Sequence, residues 1–184
     1  MLRILVIFVI LNFYSPSFSS IKEKIISQMQ NTNNLSFNFI QTVEDKVENG
    51  KCIIEYPNKI YCEYKGPNKK IIVSNGKSLV IKTVNKGSYY LYPLKKTLLK
   101  YLLNKDYLIS KIKKLEPREI DNKYLNFKIF ENDNEINIFF DKKNLKLIGW
   151  QTEDIYQKLT ITFISLVKTN QVINKNLFKL PPND

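Results

Sequence analysis

GKCIIEYPNKIYCEYKGPNKKIIVSNG, residues 50–76, contains two Pro-Asn pairs and closes on Asn-Gly. Proline presets φ and cannot donate to a ladder, while asparagine tolerates the left-handed region, so both pairs read as turns. The spacing predicts three strands, over residues 51–55, 60–65 and 69–74, with Asn75-Gly76 as a two-residue hairpin signal after the third. A first hairpin centred on Pro57 sets Cys52 opposite Cys62 and Ile54 opposite Ile60 on one face of the pleat. Directly opposed residues lie about 4.5–5.5 Å apart at Cα, a separation that a disulfide spans. The alternative is a pair of free thiols serving as two small buried apolar residues.

The N-terminus, MLRILVIFVILNFYSPSFSS, places Arg3 before an apolar run from Ile4 to Tyr14 and then a series of small residues. Ser17 and Ser19 suit the −3 and −1 positions of a signal peptidase site, which predicts a leader over residues 1–19 and one mature domain over residues 20–184. The run is shorter than the roughly 20 residues that span a bilayer; a retained anchor is the competing reading. An exported chain favours the Cys52–Cys62 disulfide, because oxidising compartments preserve such bonds.

Net charge is +12, and every basic residue except Arg3 and Arg118 is a lysine. These lysines are spread along the chain rather than clustered with aromatics, which argues against nucleic acid as a partner. Histidine is absent, which removes His-based nucleophile systems and the commonest transition-metal ligand. Two cysteines cannot close a zinc site, and the five glycines form no phosphate loop. The acidic pairs Glu44-Asp45, Glu131/Asp133 and Glu153-Asp154 fall at expected turns or strand ends, where solvated acids are the ordinary case. The expectation is a binding module, without catalysis, cofactor or metal.

In chain order, Ile21, Ile25, Ile26 and Met29 recur at helical spacing, with Ser20 and Glu23 suited to a capping box. From Leu35 the period becomes two, with Leu35, Phe37 and Phe39 on one face, ahead of a polar turn at residues 44–49. Residues 77–84 and 88–92 predict two further strands. After Pro93, Leu94, Leu98, Leu99, Leu102 and Leu103 form a short helix that is apolar over more than half its surface. It is either a buried helix under a loop or a lid over a cavity. Residues 106–115 fit a helix better than a strand. A second meander follows over residues 124–130, 135–140, 145–153 and 158–166, and VINKNLFKLPPND adds a short terminal strand. The fold class is mainly β: a large antiparallel sheet of about ten strands, which will curl or close. An N-terminal helix and a short helical lid cover only part of the concave face, so the interior is incompletely filled.

With this layout, the chain resembles the LolA family of periplasmic lipoprotein carriers over nearly all of residues 20–184. The segments that carry the resemblance are Ser36–Gln41, Tyr56–Tyr64, Ile71–Leu79, the Tyr92–Leu103 helix, and the ending Asn176–Pro182. The resemblance implies an unclosed β-barrel with a helical lid, located in the periplasm and acting as a monomer. It also implies partners: acylated lipoproteins as cargo, an inner-membrane ATP-driven (ABC-type) transporter that releases them, and an outer-membrane acceptor. Two departures stand out. Tyr56 occupies a position where the family often has arginine for closing the lid and passing on cargo, and Asp154–Gln157 shortens the family's Asp-x-x-Gly-Gln turn. On this reading Phe37, Phe39, Ile54, Ile71, Val73, Leu79, Ile81, Ile138, Ile161 and Phe163 line a lipid cavity. Leu98, Leu99 and Leu102 form its lid, and Tyr56 is the transfer position. A general lipid-binding module of the same fold is the alternative. The pathway's outer-membrane receptor would need a cysteine near the cleavage site, and none is there.

Overall fold

A computed structural model of the chain describes residues 18–183. All but the last two residues of the expected leader lie outside them. Helix α1 (Phe18–Gln30) begins before Ser20, so Ser20 sits within the helix rather than at its cap. The predicted apolar stripe is correct: Ile25 and Ile26 are buried, and Ile21 and Met29 pack beside them.

Eleven strands make up one sheet: β1 (Asn34–Val43), β2 (Lys46–Glu55), β3 (Lys59–Tyr64), β4 (Lys70–Asn75), β5 (Ser78–Thr83), β6 (Ser88–Pro93), β7 (Arg118–Ile120), β8 (Tyr124–Glu131), β9 (Asn134–Asp141), β10 (Leu147–Glu153) and β11 (Leu159–Thr169). Two antiparallel meanders, β1 to β6 and β7 to β11, join where β1 pairs with β11. The edge strands β6 and β7 do not pair with each other, so the sheet is an unclosed barrel. Between them the chain runs through a 3-10 turn at Leu94–Lys96, α2 (Leu99–Leu102) and α3 (Lys105–Ile112).

The register expected from residues 50–76 is present. Cys52 pairs with Cys62 and Ile54 with Ile60, and the two cysteines form a disulfide with Cα atoms 4.1 Å apart. Gly50, beside them, is required by space: a Cβ there would meet the Glu63 carbonyl oxygen at 2.1 Å and the Phe39 ring at 2.8 Å. Phe39 uses that gap to pack edge-on against Tyr64 at 4.8 Å.

Several expectations are corrected. The polar stretch 44–49 turns only at Glu44-Asp45, because Val47 and Glu48 pair with Thr42 and Gln41 in a long hairpin. The loop after β4 is Gly76-Lys77, with Gly76 at φ 98°. Residues 106–115 resolve as α3, capped by the Asn104 side chain, which accepts from the Tyr107 N–H at 3.0 Å. β7 went unpredicted because three residues carry no period. The tail forms a 3-10 turn at Lys175–Phe178, not a strand. It lies against β3 and β4, with Phe178 buried and 5.8 Å from the Lys59 ammonium.

Candidate functional site

The pairing register fixes which side chains face the concave side. On β1 these are Leu35, Phe37, Phe39 and Gln41, opposite Ile54, Cys52, Gly50 and Glu48 of β2. On β11, Phe39 lies opposite Ile164 and Gln41 opposite Thr162. Thr162 in turn lies opposite Trp150 of β10, and Trp150 opposite Ile138 of β9. Leu35, Phe37, Phe39, Cys52, Ile54, Ile60, Cys62 and Leu79 form one apolar floor. Leu125, Phe127, Ile129, Ile136, Ile138 and Phe140 of β8 and β9 form a second floor under α1 and α3. Trp150 packs against both, meeting Phe37 edge-on at 6.0 Å.

The segment Leu94–Leu103, the candidate lid, crosses this concavity from the β6 end. Its entry is fixed by the Leu94 N–H donating to the Lys77 carbonyl at 2.9 Å, and its exit by the Asn58 N–H donating to the Leu103 carbonyl at 2.8 Å. Leu94 and Leu103 are buried anchors, whereas Leu98 and Leu99 are only half-buried. Under the lid are two cavities that share Ile60, Leu99, Leu102 and Trp150 as walls. One, of about 150 Å³, extends to Leu35, Ile54, Tyr56, Ile138 and Val167. The other, of about 440 Å³, extends past Phe39, Leu79 and Leu98 to Gln41, Tyr64, Thr152, Thr160 and Thr162. α2 and Trp150 therefore divide one apolar interior into two chambers.

The predicted residues separate by strand parity. Phe37, Phe39, Ile54, Leu79 and Ile138 are on the concave face and buried, and Ile81 is there too, nearer the rim. Ile71 and Val73 are on the opposite face, because Cys62 pairs with Ile72 and Ile60 with Ser74. Val73 pairs with Val80, and both are buried on the side where the tail lies. Ile161 and Phe163 also face outward, since their strand turns Thr160, Thr162 and Ile164 inward; Phe163 is 56% exposed. Leu98, Leu99 and Leu102 do meet the interior. Sequence reasoning missed Ile60, Trp150, Leu147 and Val167. Trp150 follows a glycine and is the chain's single tryptophan, a signal that was available.

Tyr56 lines the smaller cavity beside the lid's exit. Burial pushes its phenol up to about 12. Its hydroxyl has no hydrogen-bond partner among the described residues; its backbone N–H donates to the Asn33 carbonyl at 3.0 Å. The contact that holds the lid here is thus the backbone bond from Asn58, two residues on. Among the described residues no group of three or more acidic, cysteine or histidine side chains could hold a metal ion, and no helix is long and apolar enough to cross a membrane.

Solved structures share the fold at very low identity. An uncharacterised conserved protein from Thermus thermophilus aligns at a TM-score of 0.52 and 6% identity, over 90% of this chain and 95% of that one. A domain assigned to outer membrane lipoprotein sorting from Vibrio parahaemolyticus aligns at 0.50 and 7%, over 86% and 94%. A LolA superfamily protein from Nitrosomonas europaea aligns at 0.46 and 10%, over 90% and 99%. No curated protein matches the chain in sequence. The family model for the outer membrane lipoprotein carrier protein LolA matches residues 30–181, and this chain belongs to that family.

Proposed function

We propose that this protein is a periplasmic carrier that takes the acyl chains of lipoproteins released from the inner membrane into its two chambers and delivers them to the outer membrane. The observation that carries the reading is the interior itself. An apolar, unfilled concavity lies beneath a lid of half-buried leucines, in a chain of the lipoprotein-carrier family. Burying an acyl chain yields about 0.8 kcal/mol per CH₂, on the order of 12 kcal/mol for a chain of about 16 carbons. A carrier has to supply that shelter and then give it up. A lid tied by two backbone hydrogen bonds at its ends and by the Asn132 amide donating to the Tyr101 hydroxyl at 3.0 Å, with half-buried leucines between, suits both demands better than a close-packed core. The partners on this reading are acylated lipoproteins, an ABC-type transporter that loads them and an outer-membrane acceptor. Tyr56 lies where a cargo chain would pass the lid's exit.

The test adds purified mature protein to spheroplasts and follows newly made outer-membrane lipoproteins in the supernatant. Release as a one-to-one soluble complex is expected. If acylated peptides bind but nothing is released, the protein is a general lipid-binding module of this fold. If no acyl chain binds, the chambers are only packing defects.

A further inference from the structure

The larger chamber changes chemical character along its length. Its inner part is walled by Phe39, Ile60, Leu79 and the lid leucines, whereas its other end is Gln41, Thr152, Thr160 and Thr162. The register places these as neighbours: Gln41 opposite Thr162, and Thr160 opposite Thr152. On β11 the usual patterning is reversed. Thr160 and Thr162 point inward and are 5% and 3% exposed, while Leu159 and Phe163 point outward and are 51% and 56% exposed. A strand that only had to pack would place the phenylalanine inside and the threonines in water. Thr152 is 6% exposed, lines the chamber, and has no hydrogen-bond partner for its hydroxyl among the described residues. Thr162 accepts from the Gln41 amide at 3.1 Å, which leaves its own proton uncommitted.

The charges at this end do not favour an anion. Lys46 and Lys70 on the chamber wall face Glu48, Glu153 and Asp154. Lys70 is already paired with Glu48, and Lys158 beside the mouth is paired with Glu44 at 2.7 Å. Thr160 already donates to the Lys158 carbonyl at 3.3 Å, and the Gln41 carboxamide oxygen accepts from the Tyr64 hydroxyl at 2.9 Å, so these two chiefly position the site. The Thr152 and Thr162 hydroxyl protons and the second amide proton of Gln41 remain to hydrogen-bond ester or amide groups without a net positive field.

We infer that the Gln41–Thr152–Thr160–Thr162 cluster is a head-group subsite, which orients a bound amphiphile with its acyl chain under the leucine lid and selects an uncharged, ester- or amide-bearing head over a phosphate. The inference rests on the carrier reading, because it names the class of ligand for the same interior. It gives the chamber a direction: the chain enters tail-first toward Trp150, and the head stays between the β1–β2 and β10–β11 hairpins.

Trp150, the chain's only tryptophan, reports on both chambers. Its emission is titrated with 1-palmitoylglycerol and with the same lipid carrying a 3-phosphate, both below their aggregation limits. The titrations use the wild type and the double variant Thr152→Val/Thr162→Val, which keeps side-chain shape and removes two hydroxyls. The neutral lipid is expected to bind the wild type at least about tenfold more tightly. The variant should lose most of that preference yet bind the apolar probe N-phenyl-1-naphthylamine unchanged. Equal or tighter binding of the phosphate lipid by the wild type overturns the inference, as does a variant that melts normally and keeps the preference. Failure of every ligand and of the probe to bind overturns the carrier reading along with it.

Discussion

Leu99 gives the sharpest test of the lid. It lines both chambers and is only half-buried in the empty protein. Leu99→Ala removes three carbons, worth about 0.8 kcal/mol each when fully buried. In the empty protein much of that side chain is not yet withdrawn from water, so the fold should lose on the order of 1 kcal/mol. With an acyl chain beneath the lid the contact is complete, and the part of that burial gained only on binding, about 1.4 kcal/mol, should be lost from the affinity, or roughly tenfold in Kd. Titration of an N-palmitoylated peptide against Trp150 emission measures the change. Leu91→Ala is the control, because Leu91 is 56% exposed on the outer face of β6. A Kd shift below about threefold for Leu99→Ala, or an equal shift for Leu91→Ala, would refute the lid argument.

Two further outcomes are expected. Replacing both Cys52 and Cys62 by alanine opens a closure of 10 residues, which the chain-entropy account values at about 3 kcal/mol. At roughly 2–4 °C per kcal/mol for a domain of this size, thermal melting should fall by about 6–12 °C, and an unchanged Tm would contradict the disulfide's stabilising role. Stability should also fall at high pH. Burial raises the Tyr56 phenol to about 12, so the contribution is complete below the unfolded value near 10 and is lost as pH rises through 12. Urea melts should show a loss on the order of 2 kcal/mol across that window. Tyr56→Phe should reduce the slope, and an unaltered slope would mean that other tyrosines carry it.

Much of the fold was legible because it is written in local chemistry. Proline and asparagine set the turns of residues 50–76, period-two alternation marked the strands, and a disulfide-ready pair fixed one register. The short helical segment over the concave face was legible as a dense leucine run after a proline. The site was less so. Ile71, Ile72 and Val73 are all apolar, so alternation could not say which of them faces inward. That was decided by the β3–β4 loop, which pairs Cys62 with Ile72. On β11 the alternation was read correctly and assigned to the wrong side, because the rule that apolar residues point inward fails where the interior has a polar end.

By itself, then, the chain determined its antiparallel meanders, the Cys52–Cys62 pairing and the leucine-rich helical segment after Pro93, all of which depend on residues within a hairpin's reach of one another. The tertiary structure alone decided the inward parity of β4 and β11, the role of Trp150 as the wall between two chambers, and the gathering of Gln41, Thr152, Thr160 and Thr162 at one mouth. The β4 parity follows from the register of the β3–β4 hairpin; the others follow from β1 meeting β11, a contact between strands more than a hundred residues apart that no local pattern encodes.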